Sequence, residues 1–185
     1  GKSAHFRKAG IALPGKAATK DFDRLEYLLQ SMQPARVLIL GDLFHSDYNA
    51  EWELFTRFVK AHQSVLFELV GGNHDILSKE HYLQAGLTVY PEEKQEGPFL
   101  YTHIPLAVDE IPAGLVNLSG HLHPGVRLRG NGRQSLKLPC FFLNPQQGIL
   151  PSFGSLTGQM AMKPSRLSQV YAIAADKVIE VSAKK

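Results

Sequence analysis

Four apolar runs in this chain each end in residue types that bind metals, and no other sequence feature limits its fold so strongly. RVLIL (36–40) runs into Gly41-Asp42, VLFELV (65–70) into Gly71-Gly72-Asn73-His74-Asp75, FLYT (99–102) into His103, and LVNLS (115–119) into Gly120-His121-Leu122-His123. In open α/β sheets ligands collect in the crevice outside the carboxyl ends of the strands, so the four loops are expected to converge on one site.

The residue types suit one another chemically. Carboxylate oxygen, amide oxygen and imidazole nitrogen make a mixed shell suited to Mn²⁺, Fe or Zn²⁺, and the lack of thiolates argues against a closed structural zinc site. Asp42 has two oxygens and can bridge two ions. Glycines beside Asp42, Asn73 and His121 let the backbone turn sharply and approach a ligand closely. His121 and His123 are two residues apart, so in an extended segment they would project to the same side, one for each ion of a pair. Taken singly, each piece is ordinary: Gly-Asp after a strand is usually a turn, and a histidine at an apolar strand end is usually part of a core. Their order along one chain is what points to a metal centre.

Around these loops, residues 1–18 show no periodicity and read as a loop, and Thr19 is the expected N-cap of a helix whose Phe22, Leu25, Leu28 and Leu29 share a face. NAEWELFTRFVKAH (49–62) predicts a second amphipathic helix begun by Asn49, and a short helix is expected from Ser78 to Ala85. Beyond the four apolar runs, strands are expected at 126–130, 136–143, 170–174 and 177–181, the last two as a hairpin turning near Ala175 and Asp176. Strands alternate with helices early and dominate late, an α/β organisation with antiparallel additions.

With 185 residues, 44% of them hydrophobic, and no composition shift, one domain spanning 1–185 is expected. No apolar run approaches a membrane span, and GKSAHFRKAG lacks the core of a signal peptide, so no membrane partner is expected. The single cysteine, Cys140, excludes an intramolecular disulfide framework, suits a cytoplasmic location, and sits in LPCFFL as a buried thiol would. No Ser lies in a nucleophile-elbow pattern, which leaves a Ser or Cys nucleophile without support. The net charge of +3 is mild, but basic residues gather at Lys2, Arg7 and Lys8 and again at Arg127, Arg129, Arg133 and Lys137. Because Arg127 and Arg129 alternate with Val126 and Leu128, the second group is read as the solvated face of a strand.

The order GD, GNHD, a strand-terminal His and GHxH resembles the calcineurin-like metallophosphoesterases over nearly the whole chain. More narrowly, GKSAHFRKAGIALP, GDLFHSDYNAEWELF, LPCFFL and LPSFGSLTG are similar to segments of the bacterial DNA-ligase-associated metallophosphoesterases, found alongside a helicase, a ligase and a nuclease-like protein. The resemblance implies a four-layer αββα sandwich with two metal ions, Mn²⁺ foremost and Fe or Zn²⁺ as alternatives. It also implies hydrolysis of a phosphate ester by a metal-activated hydroxide. For the narrower group the ester is a phosphodiester, and a nuclease in DNA repair is the specific case, with DNA as substrate and a DNA ligase and helicase as functional associates.

Residue by residue, the resemblance makes Asp42 the bridging carboxylate, assigns Asn73, His103 and His121 to one ion, and places His123 on the other. His74 becomes the acid or electrostatic aid beside the leaving oxygen and Asp75 the partner that orients its imidazole; for a phosphodiesterase, the basic group Lys2, Arg7 and Lys8 would supply the phosphate or nucleic-acid contacts. No ligand role falls on His45, and His5, His62 and His81 are expected to be structural or exposed. The family begins with an Asp-X-His pair at the end of its first strand, and Gly1-Lys2 resembles the residues that come just after that pair. The first strand and its motif are therefore expected to be missing here, leaving the second ion only Asp42 and His123. That departure keeps a reading from another class open, a non-catalytic binding scaffold that retains the fold.

Overall fold

The computed structural model describes residues 16–44, 50–130, 134–154 and 157–181. Its helices gather on one side of a small parallel sheet because their apolar residues recur at helical spacing. Helix α1 (Lys16–Met32) turns Phe22, Leu25 and Leu29 inward, α2 (Ala50–Ala61) turns Trp52, Phe55, Phe58 and Val59, and α3 (Lys79–Ala85) adds Tyr82 and Ala85. These side chains meet Phe67, Leu69 and Leu87 of the sheet, with Trp52 edge-on to Tyr82 at 5.2 Å between ring centroids. Helix α1 begins three residues before the expected Thr19 cap, because Lys16, Ala17 and Ala18 are all favourable helix residues. Ser78 occupies the N-cap of α3, but its hydroxyl meets the His81 imidazole at 2.9 Å rather than a backbone donor.

The small sheet has the order β1-β2-β3, formed by β1 (Arg36–Leu40), β2 (Leu66–Val70) and β3 (Leu87–Tyr90), all parallel. In β2 alternate residues face opposite ways, so Phe67 and Leu69 enter the helix-covered core while Glu68 and Val70 face away from it. The second sheet contains β4 (Glu93–Glu96), β5 (Phe99–Thr102), β6 (Val116–Ser119), β7 (Pro124–Arg129), β8 (Ser135–Asn144), β9 (Gln147–Ile149), β10 (Met160–Ala161), β11 (Gln169–Ala174) and β12 (Lys177–Glu180). Its main path runs β10-β7-β8-β9-β6-β5-β4, with β11 on β8 and β12 on β11. The predicted β11–β12 hairpin is present, and Ala175 at its turn has φ 54°. A second core of Val126, Cys140, Phe142, Ile149, Val170 and Ala172 lies on one face of this sheet. Cys140 is fully buried there, and burial pushes its thiol up to about 11.

Polar pairing joins the two sheets. Lys94 of β4 donates to both carboxylate oxygens of Glu68 at 2.7 Å, and the Tyr90 hydroxyl donates to Glu68 Oε1 at 2.9 Å. Arg36 of β1 and Lys94 both reach Glu96. Burial, the largest single effect, pulls the Lys94 ammonium down, but Glu68 and Glu96 together hold it above its ordinary value. The parallel strands β1 and β2 on one sheet, and β5 and β6 on the other, all end at the same rim.

Candidate metal centre

At that rim the chain makes abrupt turns. Gly41 and Asp42 follow β1 with φ 75° and 54°, and His121 and His123 follow β6 with φ 59° and 46°. Three of the expected ligands thus occupy left-handed backbone, a conformation costly for residues with a Cβ and concentrated at functional sites. The Leu122 N–H donates to the Gly120 carbonyl at 2.7 Å, which makes His121 the centre of a γ-turn. His121 and His123 are therefore not presented from an extended segment as their spacing alone predicts. The turn aims them separately.

The loops touch through their glycines. A Cβ on Gly72 would lie 2.6 Å from Asp42 Oδ1 and 2.9 Å from the Gly41 Cα, and a Cβ on Gly41 would enter the His103 ring. Asp75 closes this crossing by accepting backbone N–H bonds from Asp42 at 2.8 Å, Gly72 at 2.8 Å and Phe44 at 3.1 Å. Burial pushes the Asp75 carboxyl above its ordinary value, against the pull of those three donors. The family resemblance assigns Asp75 only a role toward the His74 imidazole, whereas these three bonds fasten the loop after β2 to the loop after β1. An Asp three residues beyond a glycine pair was the available sign of a side chain bonding local backbone. His74 is exposed, and its own N–H donates to Asp42 Oδ1 at 3.1 Å.

Four expected ligands meet at His103. Its buried ring places Nε2 3.0 Å from Asn73 Oδ1, 3.0 Å from His121 Nδ1 and 3.2 Å from Asp42 Oδ1. Its other nitrogen, Nδ1, lies 2.8 Å from the Leu40 carbonyl, which can only accept, so the proton belongs on Nδ1. In the neutral ring the Nε2 lone pair then faces two oxygen acceptors, Asn73 Oδ1 and Asp42 Oδ1, beside the His121 nitrogen, whose role depends on its tautomer. A cation among these atoms, a metal ion or the second ring proton, relieves the repulsion between the lone pair and the oxygens. Bonds of about 2.1 Å to one ion place neighbouring ligands of an octahedral shell about 3.0 Å apart, the spacing seen around Nε2. The residues therefore fit a divalent metal, and the Leu40 carbonyl supplies the outer hydrogen bond that orients the ligating histidine.

Among the described residues, Asp42, His103 and His121 form a His and Asp group whose ligand atoms all lie within 4.8 Å of one another. His123 stands outside that trio yet within electrostatic range of Asp42, His121 and His103. Burial first, against the opposing pull of Asp42, and then the His121 and His103 imidazoles hold His123 below its ordinary value, which favours the neutral ring that can ligate. The segment 150–159 begins and ends on the loop carrying these histidines: Leu150 N–H donates to the Ser119 carbonyl at 2.8 Å and Met160 N–H to the His123 carbonyl at 3.1 Å. Phe153 of that segment, which the motif reading passed over, holds the Arg24 guanidinium 4.8 Å from its ring centre. Lys2, Arg7, Lys8, His5 and His45 lie outside the described residues. His62 pairs with Glu26 at 3.0 Å and His81 with Ser78, both structural arrangements as expected.

Comparison with known proteins supplies the lineage. A family model for calcineurin-like phosphoesterases matches residues 13–140, which carry every expected ligand. The chain belongs to the calcineurin-like phosphoesterase family. The crystal structure of Pseudomonas putida nuclease MPE is similar, with a TM-score of 0.77 and 28% identity, over 92% of this chain and 82% of that one. Among curated proteins no match is found. As a calcineurin-like phosphoesterase the protein is a metal-dependent hydrolase of phosphate esters with the metallophosphoesterase fold. No helix among the described residues is long and apolar enough to cross a membrane.

Proposed function

We propose that the protein is a phosphodiesterase acting on DNA, with two divalent ions at the rim, Mn²⁺ foremost. The observation that carries this reading is the crowd of oxygen and nitrogen ligand atoms around His103 Nε2. The likeness to a nuclease supports a diester over a monoester. A carboxylate, amide and imidazole set without thiolate suits Mn²⁺, Fe or Zn²⁺, and Mn²⁺ is put first on the family resemblance. Asn73, His103 and His121 would hold one ion, His123 the other, and Asp42 both.

Divalent ions in this place supply Lewis-acid chemistry, polarising phosphoryl oxygens and making water acidic enough to ionise near neutral pH. The chain's own residues set the geometry. Asp75 fixes the two loops that carry Asp42 and Asn73, and Leu40 fixes the His103 ring. His74, exposed and with its backbone N–H on Asp42 Oδ1, would give a proton to the departing alkoxide oxygen. A DNA ligase and a helicase are the functional associates this reading carries, with the cytoplasm as its setting.

The test is turnover of a chromogenic phosphodiester by the purified full chain with Mn²⁺, beside Asp42→Asn and His121→Ala. The proposal expects metal-dependent hydrolysis that both substitutions abolish while the melting curve remains cooperative. Full activity in either variant would defeat the assignment, and a folded wild type that binds no metal and cleaves no diester would leave a binding scaffold.

A further inference from the structure

Strand β7 starts at Pro124, the residue after His123, and carries the chain away from the metal centre as one arm of an antiparallel pair with β8. Its inward face is apolar, with Val126, Leu128 and Leu138 packed on the second core. Its outward face is basic. Arg127 stands directly opposite Lys137, Arg129 comes two residues on along the same face, and all three side chains are exposed. Arg133 lies outside the described residues.

Alternation explains why these side chains face solvent, but not why they share one sign. Like charges directly across a ladder are destabilising, and a face that only needs solvation ordinarily mixes signs. No carboxylate pairs with Arg127, Arg129 or Lys137 among the described residues. The Lys137 ammonium instead donates to the Gln159 carbonyl. That residue adjoins Gly158, whose backbone bonds to His123. The side chains of Gln159 and Lys137 also close over Gly125, where a Cβ would lie 2.8 Å from Gln159 Oε1 and 3.1 Å from Lys137 Cε. Lys137 thus begins the positive face beside the segment that meets His123, and Arg127 stands four residues, about 13 Å of extended chain, beyond His123.

We infer that the outward face of the β7–β8 pair, through Arg127, Arg129 and Lys137, holds the phosphate backbone of a nucleic-acid strand leading to the metal centre. This inference rests on the phosphodiesterase reading for its occupant. Its chemistry is that of unneutralised cations spaced along a strand, which suits a repeating anion better than one isolated phosphate. Such contacts position the strand without selecting its sequence.

The experiment measures affinity of the full chain for a single-stranded oligonucleotide across a salt series. Arg127→Ala/Arg129→Ala is compared with Arg57→Ala/Lys60→Ala, a charge-matched control on α2, which lies among the helices covering the other sheet. The inference expects the hairpin variant to bind about tenfold or more weakly, with the slope of log affinity against log salt reduced by about 1.5, while the control behaves as the wild type does. Melting curves of both variants establish that each is folded. Equal losses in the two variants, unchanged affinity in the hairpin variant, or no oligonucleotide binding by the wild type would each overturn it. A wild type that binds DNA through this face yet hydrolyses no phosphodiester would instead overturn the enzymatic reading and leave the basic face standing.

Discussion

Two polar clusters lie where the sheets meet, and they differ in whether their own atoms satisfy one another. In the cluster of Glu68, Lys94, Tyr90, Arg36 and Glu96, ammonium, guanidinium and hydroxyl donors all face carboxylate acceptors. Around His103 the balance is open, since Asn73 and Asp42 present oxygen acceptors to a nitrogen that, in the neutral ring, has its only proton engaged on the far side by Leu40, with the His121 nitrogen beside them. A closed network needs no outside partner and reads as part of the fold. An open one is ready to take a cation, so burial of polar atoms alone does not mark a site; a surplus of acceptors over donors does.

Removing His103 should separate the clusters most widely. His103→Ala is expected to lower diester turnover about a thousandfold or more, the scale of several kcal/mol of lost transition-state stabilisation. Its melting temperature in chelator should fall little, because one member of a repelling set is gone. Retained turnover would break the contrast at its functional end. Glu68→Gln should do the reverse, losing about 3 kcal/mol in urea unfolding because Lys94 is left buried without its main carboxylate, with turnover below the melting range unchanged. Loss of turnover at full stability would place Glu68 in the machinery instead.

The smallest effect concerns pH. Arg36 first, then Lys94, hold the Glu96 carboxyl down to about 2 from an ordinary 4.5. The folded chain thus binds this proton less readily than the unfolded chain. The stabilisation is complete above pH 4.5 and is lost as the pH falls toward 2. Melting temperatures of Glu96→Gln should lie below those of the wild type at neutral pH and approach them through that acid window. A constant difference down to about pH 2 would mean Glu96 contributes no charge pairing.

The same contrast explains how much was legible in the amino-acid sequence. The ligand types stood at the ends of long apolar runs, so Asp42, Asn73, His103 and His121 could be picked out before their distances were known. Strands β3 and β4 could not. LTVY is four residues long after a short helix, and EKQE has no apolar alternation because its inward residue is Lys94, whose place depends on Glu68 far along the chain. Strand β9 is three residues and β10 two, too short to show a period. The left-handed turns at Asp42, His121 and His123 were also hidden, since only tertiary contacts hold such residues there. The basic pair Arg127 and Arg129 was correctly placed on an outward strand face, but only the register set Lys137 directly opposite Arg127 on that face.

Crystals of the full chain grown with Mn²⁺ and measured at the manganese absorption edge would test the central claim most directly. The account predicts an anomalous peak bonded to His103 Nε2 and shared by Asp42, Asn73 and His121. A well-ordered His103 with Nε2 bonded only to protein or water, and no peak beside it, would contradict it.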